Sequence, residues 1–97
     1  MAKEIRWSLK ADQDRQAIED YWTNRNKSNT YSLKLDQLFR EAVELVSNSP
    51  ETGKPTQYPS IRIKIVRDYL IYYRIGDAYI QIIRIWDSRR NPKKFKF

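Results

Sequence analysis

Between Ile61 and Trp86 lie three runs rich in β-branched and aromatic residues: IRIKIV (61–66), YLIYYRI (69–75) and AYIQIIRIW (78–86). Only Arg67-Asp68 and Gly76-Asp77 separate them. Such runs read as strands. A two-residue connection forces neighbouring strands to be antiparallel, because a parallel crossover takes a dozen or more residues. The second half of the chain is therefore a three-strand meander, and every other element must fit onto it. IRIKIV alternates isoleucine at 61, 63 and 65 with a cation at 62 and 64, so one edge of that strand is greasy and the other positive.

Upstream, Lys3-Glu4-Ile5-Arg6-Trp7 alternates and reads as a short strand, with Ile5 and Trp7 on one side. Ser8 is placed to cap a following helix. Ala11, Ile18, Tyr21 and Trp22 fall near one face of that helix, and Asp12 and Asp14 lie near its positive N-terminal end. The polar stretch Asn24 to Asn29 reads as a turn. Asn29 or Thr30 caps a second helix, in which Tyr31, Leu35, Leu38, Phe39, Ala42, Leu45 and Val46 recur at helical spacing. Ser47-Asn48-Ser49-Pro50 ends it, since proline cannot continue a helix. Gly53, Pro55 and Pro59 make residues 51–59 a loop crossing back to the sheet. The order is β-α-α-β-β-β, a two-layer α+β domain with a helical hairpin packed on one face of a mostly antiparallel sheet.

The turns set the pairing. A two-residue turn at Arg67-Asp68 opposes 66 to 69, 64 to 71 and 62 to 73; one at Gly76-Asp77, of type II′, opposes 75 to 78 and 73 to 80. One face then holds Ile61, Ile63, Ile65, Leu70, Ile83 and Ile85, nearly continuous hydrocarbon, and reads as the bed for the helices. The other holds Arg62, Lys64, Tyr69, Ile71, Tyr73, Ile80, Ile82, Arg84 and Trp86. On this reading the positive edge of IRIKIV points away from the helices, among aromatic rings. Cations interleaved with rings can clamp phosphates and stack bases, or can simply be a solvated strand face.

The 97 residues are expected to form a single domain, 1–97, with a short basic tail from about residue 88. The chain has no cysteine and no histidine, which excludes disulfides, the usual Cys/His zinc sites and Ser-His or Cys-His triads. No cofactor or metal is expected. No N-terminal apolar run resembles a signal peptide and no stretch approaches a membrane helix, so a cytoplasmic location without membrane partners is expected. The net charge of +7 is unevenly placed. Residues 1–57 carry nine Lys/Arg against nine Asp/Glu, whereas residues 58–97 carry ten against three, Asp68, Asp77 and Asp87. A single-sign half points to an anionic partner.

The composite IRIKIVRDYLIYYRIGDAYIQIIRIWDSRRNP, with the helical hairpin before it, resembles the RelE/ParE superfamily of toxins from type II toxin–antitoxin systems. The resemblance covers nearly the whole chain. It implies a growth-inhibiting toxin silenced by an antitoxin whose C-terminal segment wraps it, in a toxin–antitoxin hetero-oligomer. It implies one of two targets: RelE-like members are ribosome-dependent, metal-independent mRNA endonucleases, and ParE-like members poison DNA gyrase. Arg62 and Lys64 stand where RelE-like nucleases carry a basic pair. Those nucleases usually place an arginine after the tyrosine that opens the next strand, but here Tyr69 is followed by Leu70, and YLIYYR looks more like the ParE pattern. IIRIWDSRR is also ParE-like in its run-up, although ParE members often have Leu-His at Trp86-Asp87. In RelE-like enzymes an arginine and then a tyrosine follow the last strand. Arg89 or Arg90 matches the first, but only Phe95 and Phe97 follow.

RNA cleavage needs a base, an acid and stabilisation of charge on the phosphorane. For a nuclease, the catalytic candidates are Arg62, Lys64, Arg84, Arg89 and Arg90, with Lys64 or Asp87 as base and Tyr69 or Tyr73 as acid. A salt bridge to Arg89 or Arg90 is the structural alternative for Asp87, and packing is the alternative for the tyrosines. As a surface for target or antitoxin, the candidates are Arg62, Lys64, Tyr69, Tyr73, Arg84, Trp86, Asp87, Arg89 and Arg90. The ParE-like route is slightly favoured, and a binding module without toxicity is a third reading.

Overall fold

The computed structural model describes residues 2–90. Strand β1 (Glu4–Trp7) leads into helices α1 (Leu9–Asn26) and α2 (Thr30–Asn48), then a single 3₁₀ turn (Pro50–Thr52), β2 (Lys54–Pro55), β3 (Ile61–Val66), β4 (Tyr69–Ile75) and β5 (Tyr79–Asp87). The expected α+β order holds, with the two-residue β2 added inside the segment read as a loop. The sheet order is β1-β5-β4-β3-β2, with β1 parallel to β5 and the other pairs antiparallel. The tail reading for 91–97 lies outside the described residues.

Local chemistry accounts for the elements. The Ser8 hydroxyl accepts the Ala11 N–H at 3.0 Å, so it caps α1, and donates to the Ile83 carbonyl at 2.8 Å, tying the helix start to β5. Helix α2 buries Leu35, Phe39, Ala42, Val43 and Val46 in one stripe, while α1 fully buries only Ala11. The two helices are stitched through a buried Ser32, which donates to the Glu19 carbonyl at 2.8 Å.

The β3–β4 register is the expected one: Val66 opposes Tyr69, Lys64 opposes Ile71 and Arg62 opposes Tyr73. The β4–β5 connection is longer than expected. Ile75 pairs with Ile80, and Gly76 N–H closes a four-residue loop on the Tyr79 carbonyl at 2.8 Å. This slips the register by two residues, which leaves the faces unchanged until a bulge between Tyr72 and Tyr73 and their partners on β5. Beyond the bulge the faces of β5 exchange: Ile85 opposes Ile71, Trp86 opposes Leu70 and Asp87 opposes Tyr69.

The choice of which face takes the helices is reversed from the sequence reading. The bed is Val66, Tyr69, Ile71, Tyr73, Ile80, Ile82 and Ile85, which join the α2 stripe in one core. Tyrosine suits this bed because each buried hydroxyl finds a partner. Trp22 Nε1–H donates to Tyr69 Oη at 2.7 Å, while Tyr73 Oη accepts the Gly53 N–H at 3.0 Å and donates to the Pro50 carbonyl at 2.6 Å. Ile61, Ile63, Ile65 and Leu70 belong to the opposite face, where Ile65 is 47% exposed. The three isoleucines of β3 mislead because β3 lies towards the margin of the sheet. There a lysine or arginine can rest its aliphatic stem at the border of the helix layer and still keep its head polar.

The two glycines serve close approach. A Cβ on Gly76 would meet the Tyr79 ring at 2.6 Å, and one on Gly53 would collide with Tyr73 Oη and stand 2.9 Å from the Ile63 carbonyl. No glycine has positive φ among the described residues; the left-handed positions are Lys27 and Arg67, both at φ 55°. Each costs roughly 1–2 kcal/mol relative to ordinary backbone. Gly53→Ala is expected to lower stability by about 1–3 kcal/mol, because the backbone there cannot move without breaking the Tyr73 contacts. A urea midpoint equal to that of the parent would contradict this packing.

Candidate functional site

The candidate cations do not converge. Arg62 lies at one end of β3, where its Nη1 donates to the carbonyls of Gly53 at 2.8 Å and Glu51 at 3.3 Å. It organises the loop before the sheet. Lys64, half-buried, borders Val43, Val46 and Ile71 beneath α2. Arg84 is on the outer face with Trp86, 5.8 Å from the ring centroid, and it reaches round the sheet edge to α1. Arg89 and Arg90 follow the far end of β5. From Arg62 to Val66, which neighbours that end, is already about 13 Å of strand. Tyr69 and Tyr73 are interior, and burial raises both hydroxyl pKa values. The sequence reading that placed Arg62, Lys64, Arg84 and Trp86 on one solvent face is therefore corrected: the first two share the helix side and the last two the outer side.

Asp14 carries the most important polar contact, and the sequence reading saw it only as a favourable helix-start charge. Its Oδ2 accepts Arg84 Nε at 2.8 Å and the Ile85 N–H at 2.9 Å, while its Oδ1 accepts Arg84 Nη2 at 3.0 Å. β1 pairs with β5 only as far as Ile82. Past that point α1 covers the β5 edge, and the Asp14 carboxylate serves the Ile85 amide in place of a strand. The hydrogen bond to Asp14 raises the Arg84 pKa further. A sequence signal existed: Ala11, Asp14 and Ile18 share one helical stripe, so an acid stood in the row that faces the sheet.

Asp87 forms the ion pair that the sequence reading set against catalysis. Arg89 donates Nε to Oδ1 at 2.9 Å and Nη2 to Oδ2 at 2.8 Å, and its backbone N–H also reaches Oδ1 at 2.9 Å. The side-chain bond to Arg89 holds the Asp87 pKa below its ordinary 3.8, which makes the carboxylate a weak base. Asp68, on the β3–β4 turn, is 3.9 Å from Arg89, and its carbonyl accepts the Ser88 N–H at 2.8 Å. Arg90 stacks on Trp86 at 4.8 Å. Between α1 and this turn lies a cleft of about 380 Å³, lined by Asp14, Ile18, Tyr21, Ile85, Asp87 and Arg90 among others. Among the described residues no group of three or more Asp, Glu, His or Cys is placed to hold a metal ion, and no helix is long and apolar enough to cross a membrane.

Residues 5–92 match the family described as "ParE toxin of type II toxin-antitoxin system, parDE". The chain belongs to the ParE toxin family. Among solved structures it is similar to a chain from "Chromosomal ParDE TA system from P. aeruginosa", at 25% identity and TM-score 0.74, covering 87% of this chain and 94% of that one. It is also similar to a chain from the E. coli DinJ-YafQ toxin–antitoxin complex, at 15% identity and TM-score 0.54, covering 92% and 96%. That second likeness is one of fold. No curated protein sequence matches significantly. ParE membership resolves the two-way resemblance seen in the sequence, and it agrees with Leu70 standing where the nucleases carry arginine.

Two measurements check the ion-pair chemistry of this ParE toxin. Asp14→Ala leaves a mostly buried guanidinium and an amide without an acceptor, so a loss of about 2–4 kcal/mol is expected in urea denaturation. Asp14→Asn keeps one oxygen and loses less. Asp87 has a depressed folded pKa. Its pairing therefore stabilises the fold above the unfolded pKa and is lost as pH falls through the folded value. Below about pH 4 the parent's stability should fall more steeply than that of Asp87→Asn; parallel acid limbs would refute the pairing.

Proposed function

We propose that this ParE toxin arrests growth by poisoning DNA gyrase, and that an antitoxin segment laid against its sheet holds it inactive. Its place of action is the cytoplasm. The observation that supports gyrase over mRNA cleavage is the dispersal of the basic groups. A metal-free nuclease needs base, acid and charge-stabilising groups around one phosphate. Here Arg62 is committed to loop carbonyls, the Tyr69 and Tyr73 hydroxyls are committed inside the core, and Asp87 is ionised against Arg89. A gyrase poison needs a binding surface only.

The antitoxin reading draws on the same geometry, on family membership, and on the similar solved chain from a ParDE toxin–antitoxin system. The outer sheet face offers Ile63, Ile65 and Leu70, beside the exposed cations Arg74 and Arg90. That combination fits an amphipathic acidic segment, helix or strand, better than a uniformly polar one. Of the sequence candidates, Arg84, Trp86 and Arg90 lie on this face, whereas Arg62, Lys64, Tyr69 and Tyr73 do not.

The test is induction of the chain without an antitoxin. Covalent gyrase–DNA complexes should accumulate within minutes while translated messages stay intact, and Lys64→Gln should remain toxic. Codon-phased cuts in translated messages, with gyrase complexes at background and Lys64→Gln inert, would sink the gyrase reading. For the antitoxin, affinity should fall with rising salt; indifference to salt would remove the electrostatic part.

A further inference from the structure

Among the described residues the two left-handed, non-glycine positions are both cations. Lys27 terminates α1 and Arg67 is the first turn residue after β3. Glycine or asparagine suits both positions better. The two lie at the same end of the molecule. Helix α1 starts beside Ile82 and Ile83, passes Ile85 at Asp14, and reaches Tyr69 at Trp22. Its last turn, with Arg25 and Lys27, therefore leads past the end of the sheet where Arg67, Ser88 and Arg90 sit. A backbone cost accepted twice, each time for a positive charge, points to a use for those charges.

The charges at this end are also left unanswered. Its two acids, Asp68 and Asp87, both turn to Arg89. Arg25, Lys27, Arg67 and Arg90 are exposed and form no ion pair among the described residues. Of the rings nearby, Trp22 donates to Tyr69 and lies 5.9 Å from Arg25, and Trp86 lies under Arg90, while Tyr21 beside Trp22 is exposed. Exposed cations with no carboxylate partner among the described residues, and an exposed ring beside them, suit a phosphate backbone. Neighbouring strands are about 4.8 Å apart and a helix layer adds about 10 Å, so the four cations can span the roughly 12 Å major groove.

We propose that Arg25, Lys27, Arg67 and Arg90 form a duplex-DNA surface, by which the toxin grips the phosphate backbone of the DNA that gyrase holds. The proposal rests on the gyrase reading but has a readout of its own. The variant Lys27→Gly/Arg67→Gly removes two cations and relieves both strained backbones, so weakened binding cannot be ascribed to misfolding.

Fluorescence anisotropy with a short labelled duplex should show salt-sensitive binding by the parent. In the double variant, affinity should drop about tenfold at moderate salt, and the slope of log affinity against log salt should fall by about two, one for each lost phosphate contact. Its thermal midpoint should be no lower than the parent's. Unchanged duplex affinity in the variant overturns the proposal, as does a parent without salt-dependent duplex binding. Displacement by a single-stranded RNA at lower concentration than by unlabelled duplex also overturns it, by assigning the surface to RNA. The gyrase assay separates the two readings. A double variant that traps gyrase complexes as well as its parent removes the DNA surface and leaves gyrase as the target. A parent that traps none removes the target, and the duplex titration still decides the surface.

Discussion

The carboxylate of Asp14 holds together two elements that the backbone alone would leave apart. Strand β1 runs out at Trp7, and the remaining length of β5 would otherwise present a bare edge. One oxygen serves both the Ile85 amide and the Arg84 guanidinium, so α1 is fastened along that edge and a bulged strand is held at its irregular point. The bulge in turn decides which side chains of β5 enter the core. Without it Ile85 would point outward and Trp86 inward, and the end of the strand that carries Asp87, Arg89 and Arg90 would be turned over.

This dependence explains the uneven legibility of the sequence. Element order, the β3–β4 register and the serine cap were readable because each follows from local chemistry: alternation, a two-residue turn, a hydroxyl before a helix. The layer side was not readable. IRIKIV looks amphipathic in the wrong sense, and only the partners of Tyr69 and Tyr73, which come from α1 and the 3₁₀ turn, make tyrosine the residue of the helix-covered face and leave the isoleucines on the other. The bulge was equally invisible, since Ile83 stands in a run of isoleucines and nothing local marks it as the extra residue.

The candidate site divides along the same line. The arginines after β5 and the pairing of Asp87 were legible, because they are adjacent in the chain. Arg62, Lys64 and Arg84 were grouped by parity, and parity fails wherever a bulge intervenes or the covered face is misjudged. Arg67 was read as a turn residue and Lys27 as part of a polar stretch; their significance lies in backbone dihedrals that composition does not report.

The parallel pairing of β1 with β5 has a consequence for synthesis. Glu4–Trp7 emerges from the ribosome early and has no strand to join until Tyr79–Ile82 follows. The β5 segment is also the strand that joins β1 to β4 and on which α1 is anchored. A nascent chain stopped anywhere before it lacks both the link between β1 and β4 and the anchor for the first helix. Such a sheet cannot close in stages from the N-terminus. A toxin built this way acquires its fold, and any surface carried on that fold, only once β5 has been made.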